Sequence, residues 1–170
     1  MRAIRWSVAF VLLLAVSRIP ARPQDRASAA EDNLYSQALF ASLPEMEKSW
    51  GQIDDSYQGV VRTDYRHMRV EKAPGITDGL PNKVGDFSVE FLDRQEEVAR
   101  YKRQRKGFSI LGISPMQNHG AELEITISVY YVRFAKGRLL SGLSDWSTVT
   151  FHYDPEAQKF VIASVKLGGI

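Results

Sequence analysis

The stretch GAELEITISVYYVRF, residues 120–134, alternates polar and apolar side chains for eight positions and then slips. Up to Val129 one face carries Leu123, Ile125, Ile127 and Val129, and the other carries Glu122, Glu124, Thr126 and Ser128. Successive side chains of a strand point to opposite faces, so this pattern fits one side to a core and the other to water. Beyond the slip, Tyr131 and Arg133 continue the formerly apolar face, while Val132 and Phe134 join the polar one. A β-bulge or a strongly bent strand accounts for the change of phase.

Three more strands share the C-terminal half: FSILGI (108–113), 146–153 and 159–167, with Asp154-Pro155 supplying the last turn. Upstream, YQGVVRTDYRHMRVEK (57–72) reads as a long, half-exposed or edge strand. Residues 73–86 read as a loop from their Pro, Gly and Asn content, and FSVEFL (87–92) as a short strand. The segment 93–106 predicts a helix: Asp93 caps it, Glu96 sits in its first turn, basic residues gather late and Gly107 follows. Two further helices are expected at the N-terminal side. Leu34, Tyr35, Ala38, Leu39 and Ala41 share a helical face, and Ser42-Leu43-Pro44-Glu45 reads as a capping box opening a second helix over 43–50.

The first thirty residues belong to a different kind of segment. Arg2 and Arg5 precede an apolar run from Trp6 to Val16, the length of a signal-peptide core and short of the roughly 20 residues that span a bilayer. Residues 1–17 read as a signal peptide, with cleavage after Ser17 or as late as Ala29, and 18–30 as a flexible leader. The chain carries a net charge of +2, from 22 basic and 20 acidic residues. Cleavage after Ala29 removes five arginines and one aspartate, leaving 17 and 19, a net −2. The basic character thus resides in the removed part and gives no reason to expect a nucleic-acid partner. No stable membrane span is expected after processing.

With no cysteine, disulfides, thiolate metal sites and a cysteine nucleophile are excluded. An exported domain of this composition must hold together by its core, and about 140 residues is long enough for one. The expectation is an exported protein, periplasmic or secreted and more in keeping with a bacterial source, folded as one α+β domain over 31–170. A curved antiparallel sheet packs against N-terminal helices in it.

This order, helix, helix, strand, strand, helix and four strands, resembles the nuclear transport factor 2-like or cystatin-like group. The resemblance rests on element order and implies a bent sheet wrapped around helices into a cone, with a pocket between them. Proteins of that kind include isomerases, dehydratases, ligand binders and dimerising adaptors, so the fold alone does not choose a function.

No glycine-rich phosphate loop, His-Glu-x-x-His, Gly-x-Ser-x-Gly or EF-hand ladder is present. Neither cofactor nor metal is implied. Candidate acid–base groups are Glu124 with His152, on strands expected to be antiparallel neighbours, and Asp64 with His67. Glu122, Thr148 and Thr150 would share the first face, and a one-residue change of register would part them. The bland alternative makes that face a solvated one, with Leu123, Ile125, Ile127, Val129, Val149, Phe151 and Tyr153 as core. Tyr130, Tyr131 and Trp146 could line a pocket mouth, or serve as core aromatics. Two functions follow. One is a non-catalytic binding or interaction domain for a protein or small-molecule ligand, with self-association through the sheet. The other is a small hydrolase, isomerase or lyase using a carboxylate/histidine pair.

Overall fold

The structure, a computed structural model, describes residues 33–51, 63–104, 106–135 and 138–169. The expected signal peptide and leader, and positions 57–62 of the expected long strand, lie outside them. Among the described residues, two helices and eight strands are formed: α1 (Leu34–Trp50), β1 (His67–Glu71), β2 (Lys83–Val84), β3 (Phe87–Leu92), α2 (Arg94–Gln104), β4 (Phe108–Ile113), β5 (Gln117–Asn118), β6 (Glu122–Ala135), β7 (Arg138–Asp154) and β8 (Lys159–Gly169).

The two expected N-terminal helices are one. α1 begins at Asn33, whose side chain accepts from the Tyr35 and Ser36 amides, and runs on through Pro44. Proline forfeits one helical hydrogen bond. The apolar stripe Ala38, Leu39, Leu43 and Met46 crosses it without a break, each fully buried, and that burial offsets the loss. Ser42 therefore caps nothing. It is buried and its hydroxyl donates to Ser147 Oγ at 2.9 Å.

α2 forms as its sequence predicts. Asp93 Oδ1 accepts from the Gln95 and Glu96 amides, and Glu96 Oε2 accepts from the Asp93 amide, closing a capping box. Of the described part of the strand expected over 57–72, residues 63–72, only His67–Glu71 is extended in the sheet. Asp64 takes the Arg66 amide with its own carboxylate, which bends the chain at Tyr65-Arg66 just before β1.

The sheet runs β2-β3-β1-β4-β6-β7-β8, with β5 hairpinned onto β6. It is mixed rather than antiparallel, because β1 pairs parallel with both β3 and β4. Parallel partners need a crossover, and α2 provides it, carrying the chain from β3 past β1 to β4. β6, β7 and β8 are antiparallel and curved, with register breaks that leave Ser144 and Ala163 unpaired. The first break faces Val129/Tyr130, where the alternation in β6 slips; Ser144 Oγ donates to the Val129 carbonyl at 3.3 Å.

Each helix covers a different part and a different face of the sheet. α1 lies on the face of Ile125, Ile127, Val149 and Phe151, joined by Met68, Val70, Leu111 and Ile113. On the other face Val98 and Tyr101 of α2 pack over Leu92, Phe108, Ile110, Val132 and Leu139. The slip in β6 has its explanation here: burial passes from Val129 on one face to Val132 on the other, as one helix takes over from the other. Tyr153, expected in the core, lies half-exposed at the end of β7, edge-on to Phe160.

Candidate functional site

Residues 122–128 of β6, opposite α1, have no described helix over them. There the register sets Glu122 across from His152, Glu124 across from Thr150, Thr126 across from Thr148 and Ser128 across from Trp146. β8 extends the face with Val161, Ser164, Lys166 and Gly168. Glu124 and His152 do share a face, but as diagonal neighbours, and the histidine's direct partner is Glu122. Glu122 and His152 are exposed, and Glu124 and the Thr/Ser row are half-buried by one another.

The three aromatic candidates are each seated on a glycine, within the neighbouring strand for Trp146 and Tyr130 and just before it for Tyr131. A Cβ at Gly168 would stand 2.5 Å from the Trp146 indole, and one at Gly112 would stand 2.9 Å from Tyr130 Cε2. Tyr131 covers Gly107 still more closely, on the opposite face. The rings thus fill the gaps left by missing side chains, which holds them flat against the sheet. Trp146 remains half-buried at the margin of the polar face.

Asp64 and His67 are brought together. His67 Nδ1 lies 2.9 Å from Asp64 Oδ2, with the two side chains 71% and 62% exposed respectively. Slight burial pushes the Asp64 carboxyl up, but the hydrogen bonds from His67 and the Arg66 amide prevail and hold it below its ordinary range. The pair borders a cleft of about 160 Å³ shared with Thr63, Met68, Arg69, Phe108 and Ser109.

Sequence reasoning missed a second cleft, of about 320 Å³, at the carboxyl ends of the parallel strands β1 and β4. Glu71, Lys72, Gly112, Ser114, Ser128 and Tyr130 line it. Lys72 is held at 2.9 Å by Glu96 at the start of α2. The next residue, Glu97, is buried to 1% exposure. Burial, and then the charge of Glu71, push its carboxyl above the ordinary range, against the pull of Arg94 at 3.2 Å. A helix of mostly charged residues concealed which of its acids turns inward. The available signal was that positions i+1 and i+4 from Glu97 are the apolar Val98 and Tyr101.

Among the described residues, no group of three or more His, Cys, Asp or Glu could hold a metal ion, and no helix is long and apolar enough to cross a membrane. No family model matches the chain, and no curated protein or solved structure is significantly similar to it.

Proposed function

We propose that this is an exported, non-catalytic binding domain whose recognition surface is the uncovered face of β6, β7 and β8. What carries the reading is the row Thr126, Ser128, Thr148, Thr150 and Ser164, bordered by Trp146, flanked beside Thr148 by Lys166 and ended by Glu122 and His152. Three long paired strands hold these hydrogen-bonding groups at fixed spacing, and α1 braces them from behind. Export is supported by the charged and apolar pattern of residues 1–17, and the single α+β domain of the nuclear transport factor 2-like or cystatin-like kind by the bent β6–β8 sheet against α1. β8 also presents an edge strand, a surface that a second copy could extend.

The test places a photo-crosslinking benzophenone side chain at Thr148, with Glu156 in the β7–β8 turn as control, in cells expressing the full chain. A discrete adduct from position 148 and none from 156 is expected, on a secreted product shortened by 17 to 29 residues as judged by intact mass. Equal labelling at both positions, or a product retaining residue 1, defeats the reading.

A second reading, a pocket enzyme, is favoured by one contact, the Asp64–His67 hydrogen bond at the rim of a cleft. Hydrolytic activity lost in His67→Ala and kept in His152→Ala would establish it in place of the first.

A further inference from the structure

β1 and β4 share one paired position, Val70 with Leu111, and open apart toward their N-terminal ends. The opening contains the Arg69 side chain. Its Cζ lies 5.2 Å from the centre of the Phe108 ring, and its Nε is buried without a hydrogen-bond acceptor. The acids around it are engaged elsewhere. Glu90, paired with Arg69 across the β1–β3 ladder, is bound by Arg100, and Asp64 holds His67 and the Arg66 amide. Burial, and then the like charge of Arg100, oppose the Arg69 cation and lower its pKa. A half-buried guanidinium with a buried, unmatched N–H is a destabilised group, and a planar fork of donors fits a planar pair of oxygens.

The remainder of the cleft complements it. Thr63 Oγ1 and Ser109 Oγ are 2.7 Å apart, so one hydroxyl donates to the other and the second keeps its proton for another acceptor. Phe108 and Met68, which belong to the cores on opposite faces of the sheet, also border the cleft, and the Phe108 ring beside Arg69 is its apolar side. The volume of about 160 Å³ corresponds to roughly five water molecules.

We infer that this cleft binds a small organic carboxylate, its oxygens on the Arg69 guanidinium and the spare Thr63/Ser109 hydroxyl proton, its short stem beside the Phe108 ring. The ionised Asp64 on the rim disfavours a doubly charged phosphate. Asp64 accepts through both oxygens, so the facing Nδ1 of His67 carries a proton, which in the neutral ring makes Nε2 the acceptor. A hydroxyl or amine on the ligand beside the carboxylate would find an acceptor there. This site is separate from the β6–β8 face and stands or falls independently of it.

The experiment follows the Arg69 Nε–Hε signal by NMR in labelled protein purified after expression of the full chain. Sodium acetate is titrated against sodium chloride at equal ionic strength and against sodium phosphate. A saturable shift with acetate alone is expected. Arg69→Lys, read through the Phe108 and Ser109 amides, should weaken acetate binding by about tenfold or more, as loss of a charge-assisted hydrogen bond implies. Arg66→Lys, an exposed arginine paired with Glu47, should leave it unchanged. A shift that chloride reproduces, tighter binding of phosphate than of acetate, or full affinity in Arg69→Lys overturns the assignment. Should Arg69→Lys fail to fold, the wild-type titration against chloride and phosphate decides alone.

Discussion

Ser42 and Ser147 meet in the interior between α1 and β7, each with no exposed surface, and their hydroxyls bond at 2.9 Å. Removing one partner strands the other in an apolar setting, whereas removing both leaves nothing to satisfy. Ser42→Ala should therefore destabilise the fold by about 1–3 kcal/mol, and Ser42→Ala/Ser147→Ala by less than the sum of the single changes. Chemical denaturation of the four proteins in the cycle checks this; strict additivity would mean that the hydroxyls are not coupled. Glu97 is the acidic counterpart. Its folded-state pKa lies above the ordinary 4.5, so the folded protein binds this proton more tightly than the unfolded chain does. Stability is then lost as pH rises from the ordinary value through the raised one. Glu97→Gln cannot ionise, so its melting temperature relative to wild type should increase between pH 4 and pH 7. A relative melting temperature that is flat or falling over that range would show that the Arg94 pair outweighs burial.

At the scale of elements, the central point is how a rule of local sequence yields to packing. Ser42-Leu43-Pro44-Glu45 carries every sign of a helix start, yet α1 continues through it because Leu39, Leu43 and Met46 must all reach the same core. Pro44 is exposed and stands outside the buried stripe. Pro44→Ala should restore the missing amide and stabilise the protein by about 1–3 kcal/mol, read as a raised denaturation midpoint. A lowered midpoint would mean that proline's restriction of the unfolded chain matters more than the absent bond. β3, α2 and β4 were legible to within a residue or two, since capping box, terminal glycine and short alternating runs are local signals. The parallel pairing of β1 was not. It depends on which strands the crossover passes, and that information is spread over residues far apart in the chain.

For the molecule as a whole, the sequence carried the phase slip at Tyr130 but not its cause. A bulge was foreseeable; that a second helix would bury the other face at that point was not. The candidate site was legible in similar measure. Asp64 and His67 are three residues apart and meet through a local turn, whereas the setting of Arg69 depends on Phe108, nearly forty positions away. The two cores have a further consequence through the strands between them. β4 and β6 pair over six positions, and β4 supplies Phe108 and Ile110 to one core and Leu111 and Ile113 to the other. Opening either helix alone leaves this pair half-covered, so its amides are freed only when both cores come apart. Hydrogen–deuterium exchange should find Ile110–Gly112 and Ser128–Tyr130 the slowest in the protein. α1 and α2 should exchange earlier and independently, two cooperative units hinged on one shared ladder.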